Sequence, residues 1–340
     1  MIKVAVIGGG ASGLACAIEI MHTVNNRDDV KVAVFEKLSR IGKKILVTGN
    51  GRCNLTNTNA IQNGYRGDVE FSKYALNKYT PESNISFFND LGLYTRTEDE
   101  GRVYPLSNQA SSVLDVLRFE CSRLGVDIVC DYQAMHIKSV FNGVVNKLVV
   151  NNRDRFDYVV VASGGKAAKV HGTDGDSYDL LKMMGHKITP IAPALVSLNC
   201  EEFTKSLKGV RSICKMDLII DGEKSHENYG EVQFTDYGLS GIPIMQLSRF
   251  VSMSPSNDIY INLDVTPDFT QDKIDNYLFD RREFGTGICE NLLIGVMNKQ
   301  LCITLLKECS IAPNSRICDL SDDEIIRLAS LCKCWKIKIK

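Results

Sequence analysis

Twelve cysteines occur in 340 residues, yet none forms a CxxC pair, and the closest two, Cys332 and Cys334, stand two apart. That spacing matches neither a zinc cluster nor a dithiol motif, so no metal is expected. A charge excess is also lacking: 40 Lys and Arg face 41 Asp and Glu, for a net charge of −1. A nucleic-acid binder more often carries a basic surplus, so no nucleic-acid partner is expected. No apolar run reaches the roughly 18 residues that span a bilayer, so no membrane partner is expected either. The N-terminal MIKVAVIGGGASG is no secretion signal, because glycines break its apolar run. Loosely spaced thiols without such a signal imply a cytoplasmic protein with reduced cysteines. The expected partner is a small molecule.

The opening residues have the order of a parallel α/β sheet. KVAVI (3–7) is an apolar run ending in glycines, ASGLACAIEIMH follows with helix formers, and VKVAVFE (30–36) is a second apolar run ending in an acid. Apolar spacing over 111–125 predicts an amphipathic helix, and short alternating runs over 126–150 predict an antiparallel meander. YVVVA (158–162) predicts a strand buried on both faces. Pro190 and Pro193 mark a change of character. The expected division is 1–190 and 191–340, the second part β-rich over 191–268 and 333–340 and helical over 269–332. Ser321 with Glu324 predicts a capping box.

Gly8-x-Gly10-x-x-Gly13 lies between a strand and a helix, and Glu36 ends the next strand. Gly8 permits a tight turn, Gly10 lets the backbone approach a pyrophosphate, and Gly13 lets helix and strand pack closely. Ala11 and Ser12 open the helix, whose free N–H groups and dipole favour phosphate. Glu36 can accept from the hydroxyls of an adenosine ribose. The motif does not choose between NAD and FAD. No second strand–GxGxxG–helix unit follows, so no dedicated NAD(P)H domain is visible, and NAD(P)H, if used as a transient electron donor, would have to visit the bound cofactor directly.

Longer motifs carry a resemblance. VAVIGGGASGL, the EK pair at 36–37, GKKILVTGNGRCNLTN (42–57), GRVYPLSNQASSV (101–113), the ASGGKA to MGHKITPIAPALVSL stretch (162–198) and GEVQFTDYGLSGIPIMQLSR (230–249) resemble the BaiN/YhiN-like flavoproteins, often described as aminoacetone-oxidase-type. The resemblance runs over most of residues 1–250. It implies FAD and a Rossmann-like, glutathione-reductase-type domain with an inserted β-barrel-like and helical domain. The activity implied is flavin-mediated hydride transfer, either reduction of an unsaturated carbonyl such as a bile-acid-like substrate or oxidation of a small amine. The implied cofactor contacts add Lys37, Lys43, Thr48, Gly49, Gly51, Arg52, Cys53, Asn54, Ala134, Ala162, Ser163 and Gly164 to the fingerprint residues. Arg52 would offset phosphate charge, and Gly49 and Gly51 would let backbone approach the flavin.

Disulfide reductases carry a C-x4-C pair near this loop, but Thr58 stands where the second cysteine would be, so Cys53 is expected to be a packed side chain. His186 is expected to be structural, and Tyr237 is a candidate pocket residue. Ser177 departs from the family's GDGY. The family's GGV, GLYFAGE-like and GGYN-type segments do not occur before the final KCWKIKIK. That lack predicts an exposed sheet edge at 158–162, and a weakly binding or non-catalytic form is the alternative reading.

Overall fold

The structure is a computed structural model describing residues 1–25, 28–60, 64–141, 146–201 and 205–340. Tertiary contacts divide it into two units, Met1–Thr189 and Pro190–Lys340.

In the first unit, β1 (Ile2–Ile7), β2 (Val30–Phe35), a short strand Asp127–Val129 and a strand Tyr158–Val161 form a parallel sheet. The order is Tyr158–Val161, β1, β2, Asp127–Val129. Val4 to Ile7 are all buried, as expected of a strand covered on both faces. Helix α1 (Ala11–Thr23) buries Gly13, Leu14, Ala17, Ile18 and Met21, which lie on one face at three- and four-residue spacing. Helix α2 (Pro81–Asp90) starts at Thr80, whose side chain accepts from Ser83 N. Helix α3 (Ala110–Arg123) buries Ala110, Val113, Leu117 and Cys121 in the same core as α1.

Two expectations need correction. VDIVC does not begin the antiparallel meander. Asp127–Val129 joins the parallel sheet beside β2, because Asp131 then turns in a left-handed conformation and sends Tyr132 N to Glu36 O. The antiparallel strands run Ile137–Phe141, Asn146–Val150 and Asp154–Phe156. Residues 142–145 of that stretch, and 202–204 of the β-rich stretch, lie outside the described residues. Tyr158–Val161 is not covered on both faces. It is an edge strand, with Tyr158 62% exposed and the three valines half-buried.

The second unit is an antiparallel sheet of six strands. In sheet order they are Leu198–Asn199, Gly238–Ser240, Glu223–Phe234, Arg211–Ile220, Ile259–Asp264 and Trp335–Lys338. The sheet curls like a barrel. A bridge joins Cys200 to Ile339, and Lys340 N donates to Asn199 O, so the two edge strands meet. Alternation supplies one buried face: Cys214, Met216 and Leu218 on one strand, Ile259, Ile261 and Leu263 on the next. Helices α4 (Gln271–Phe284), α5 (Lys299–Glu308) and α6 (Asp322–Lys333) share a core with that face through Leu278, Leu305 and Leu328.

Candidate cofactor site

The site grows from the turn after β1. Gly8 has φ of +114°, and a Cβ there would stand 2.6 Å from the Ala162 carbonyl oxygen. Gly8 N donates to Phe35 O and Ala162 N to Ile7 O, so the ends of three strands converge. A Cβ on Gly13 would lie 1.9 Å from Gly8 O, which is how α1 comes so close to the turn. Gly10 differs: among the described residues, its chain neighbours aside, no heavy atom stands within 4 Å of its would-be Cβ. It is also the N-cap of α1, with no side-chain cap and no acid in the first turn. The N–H groups of Ala11 and Ser12 are thus left for a ligand at the positive end of the helix.

These residues open into a cleft of about 590 Å³ within the first unit, a volume usual for small-molecule sites. At one wall Glu36 is fixed by its own backbone surroundings. Its Oε2 accepts from Gly9 N and its Oε1 from Leu38 N, both at 2.9 Å. Lys37 is engaged by Asp174 at 2.8 Å and Asp176 at 2.9 Å, and its hydrogen bond holds the Asp174 carboxyl at about 2. Lys44 Nζ donates to Thr173 Oγ1 and Ala167 O. Two lysines therefore tie the segment after β2 to residues 167–176. Arg40 and Lys43 also line the cleft and have no ion-pair partner among the described residues.

The loop after Lys44 is a 3-10 segment, Ile45–Gly51, kinked at Thr48, with Gly49 and Asn50 both left-handed. Thr48, Cys53 and Asn54 line the cleft. Gly49, Gly51 and Arg52 are not among its lining residues. A Cβ on Gly49 would stand 2.8 Å from Asn54 N, so its close approach is to the loop itself. Arg52 lies over the Tyr104 ring at 3.9 Å and bonds to Glu98 and Asn108. A carboxylate distant in sequence holds the cation expected at the phosphates. Cys53 is buried and in a left-handed conformation; burial pushes its thiol up, and a hydrogen bond with Thr48 offsets part of that.

Ala134, Ala162, Ser163 and Gly164 complete the walls, with Lys37 and Lys43. Sequence reasoning did not assign Tyr132, Gln133, His171, Thr173 or Asp176 to the site, although GTDGDSY, a Gly- and Asp-rich run, carried a signal. Tyr132 packs on Phe35 at 4.6 Å; burial first, then its bond to Asp154, pushes the phenol up to about 12. Phe87 and Phe88 line the cleft from α2, which looks like any amphipathic helix in sequence. Ser177 donates to Gly164 O at 2.8 Å, so the departure from GDGY adds a tie to the cofactor turn. His186 is exposed and outside the cleft, and Tyr237, 49% exposed, lies in the turn before Gly238–Ser240.

The cleft fits a dinucleotide: an open backbone position, an uncapped helix start, an anchored acid and free cations face one space. The HI0933-like protein Rossmann domain family matches residues 2–299. This chain belongs to that family. A 3-dehydro-bile acid delta(4,6)-reductase of Clostridium scindens is 35% identical over 98% of this chain and 81% of its own length. A ribosomal RNA dihydrouridine synthase of Haemophilus influenzae is 24% identical over 97% of this chain and 80% of its own. Among solved structures, a 3-ketosteroid-delta4-(5alpha)-dehydrogenase from Rhodococcus jostii gives a TM-score of 0.40 at 15% identity, covering 77% of this chain and 66% of that one. The HI0933-like assignment makes this chain a Rossmann-type, flavin-dependent oxidoreductase. Among the described residues no helix is long and apolar enough to cross a membrane.

Proposed function

We propose that this chain binds FAD in the cleft of its first unit and reduces a carbon–carbon double bond conjugated to a carbonyl in a small molecule. The observation that carries the reading is the open position at Gly10 beside an uncapped helix start, in a chain 35% identical to a bile-acid reductase. The two curated relatives share one chemistry by name. A 3-oxo-4,6-diene and the uracil ring each present an alkene conjugated to a carbonyl. Such an alkene accepts a hydride at its β carbon and a proton at its α carbon.

Reduced FAD supplies the hydride. The protein's residues bind and position. The N–H groups of Ala11 and Ser12 and the cations of Lys43 and Arg40 meet the pyrophosphate, and Glu36 accepts from the adenosine ribose. Ile45, Leu55, Phe87 and Phe88 give the cleft an apolar lining that excludes water. NADH or NADPH is the electron donor we propose, visiting the flavin directly. The balanced charge of the chain favours a small molecule over RNA as substrate. Its free cysteines suit the cytoplasm.

The test is anaerobic. Purified protein with FAD and NADH or NADPH is given a 4-en-3-one steroid, and loss of the enone's ultraviolet absorbance is followed. Turnover that depends on FAD is expected. Enone left intact while uridine in a ribosomal RNA fragment is reduced would replace the small-molecule reading.

A further inference from the structure

Asn54, Asn84 and Gln133 line the cleft with amide side chains, and they differ in what holds them. Gln133 Nε2 donates to Asp176 at 3.4 Å. The Asn54 amide, turned so that both of its ends are satisfied, donates to Thr56 O and Val103 O. Asn84 is half-buried, and its side chain bonds to no group among the described residues. Its amide is nevertheless not sealed from solvent, so a ligand in the cleft can reach it.

The surroundings of that amide are apolar. Asn84, Phe87 and Phe88 stand at three- and four-residue spacing on one face of α2, and all three line the cleft. The two rings meet edge to face at 5.2 Å. They pack with Leu55 into the cluster that holds Ile45, Val113 and Leu117, which line the same cleft. The acids of α2, Glu82 and Asp90, are exposed instead. An apolar wall with one free amide complements a fused apolar ring system that carries one carbonyl. We propose that the substrate's rings lie against Phe87 and Phe88, and that Asn84 Nδ2 donates to the carbonyl oxygen conjugated to the alkene. As the hydride from the reduced cofactor reaches the β carbon, the alkene's electron pair shifts toward that oxygen. The amide N–H stabilises the charge there until a proton from water reaches the α carbon. The proposal rests on the enone reading of this cleft.

The full-length protein is loaded with FAD. In its oxidised form it is titrated with a 4-en-3-one steroid and with the matching 4-ene steroid that lacks the 3-oxo group, and the shift in flavin absorbance is read. Asn84→Leu should weaken the enone about tenfold and leave the carbonyl-free steroid within twofold of the parent. Phe87→Ala should weaken both. In anaerobic turnover Asn84→Leu should lower kcat by about 100-fold or more. Asn84→Asp, nearly the same shape without the N–H donor, should lose as much, and Asn84→Gln, which keeps the donor, should regain most of the loss. ADP and FAD affinity and circular dichroism should match the parent throughout. Three results would overturn the proposal: enone affinity and kcat within twofold of the parent in Asn84→Leu, equal weakening of the two steroids by that variant, or FAD affinity that falls by the same factor as enone affinity, which would give the amide to the flavin. If the parent with FAD neither binds nor reduces the enone, the enone reading itself is wrong, and this proposal goes with it.

Discussion

In the second unit, α4, α5 and α6 each begin on a side chain: Thr270, Asn298 and Ser321 accept from backbone N–H groups of their first turns. In the first unit, α1 begins on Gly10 with no such bond. The second unit also gathers its sheet and three helices into one continuous core, whereas the first keeps a cleft of about 590 Å³ between its sheet ends, the 45–55 loop and residues 162–176. The contrast separates two uses of the same physics. Three helix starts of the second unit are satisfied by a local side chain, whereas Ile242–Met253 begins on Gly241 without one. At Gly10 the end is left bare beside an open backbone position, which leaves its N–H groups available to a ligand.

The largest expected effect is in the closed unit. Phe234 is fully buried and stacks with Trp335 at 6.0 Å. Phe234→Ala should cost about 3–5 kcal/mol. Trp335 is the only tryptophan, so its fluorescence in a denaturant titration reports this unit alone. ADP affinity should stay within a few-fold under native conditions. Joint loss of ADP binding would show that the two units do not stand apart in stability.

Next comes the open unit. Gly10→Val adds atoms where the protein has none within 4 Å, so circular dichroism and melting should match the parent. ADP and FAD affinity should fall by about 100-fold or more, equivalent to about 2.7 kcal/mol. Gly13→Val is the counterpart: its Cβ would strike Gly8 O, so the fold itself should suffer. Unchanged ADP affinity in the Gly10 variant would remove the cleft's assignment. A smaller effect tests the capped helices. Ser321 accepts from Glu324 N while Glu324 accepts from Ser321 N at 2.8 Å. Ser321→Ala should lower stability by about 1 kcal/mol with no effect on ADP. A neutral result in thermal melts would mean that this cap is redundant.

Sequence carried the parts of this contrast that are local. Strand, glycine turn, helix and ribose acid lie within 36 residues, and each has a recognisable requirement, so the Rossmann unit and its Gly8, Gly10 and Glu36 could be read directly. The Ser321 box was legible for the same reason. What needed the structure was long-range. Arg52 looked free for phosphate because Glu98, Tyr104 and Asn108 are at least 46 positions away. Lys37 carried no hint of Asp174 and Asp176.

The smallest expected effect concerns Cys53, which lies in the loop that most resembles a redox site. It lines the cleft, yet it is only 8% exposed, and burial pushes its thiol up against a partial pull from Thr48. The thiolate is the reactive form, so at neutral pH this group is a poor nucleophile. No second cysteine follows at the C-x4-C position. Cys318 and Cys334 are exposed. Iodoacetamide at neutral pH should therefore label those two well before Cys53, as peptide mass spectrometry will record. Cys53→Ser should keep FAD affinity and enone turnover within about threefold, a change of about 0.6 kcal/mol. If Cys53 labels first, or if the serine variant holds its flavin but loses turnover by several powers of ten, the thiol takes part in the chemistry and the loop is more than a wall of the cleft.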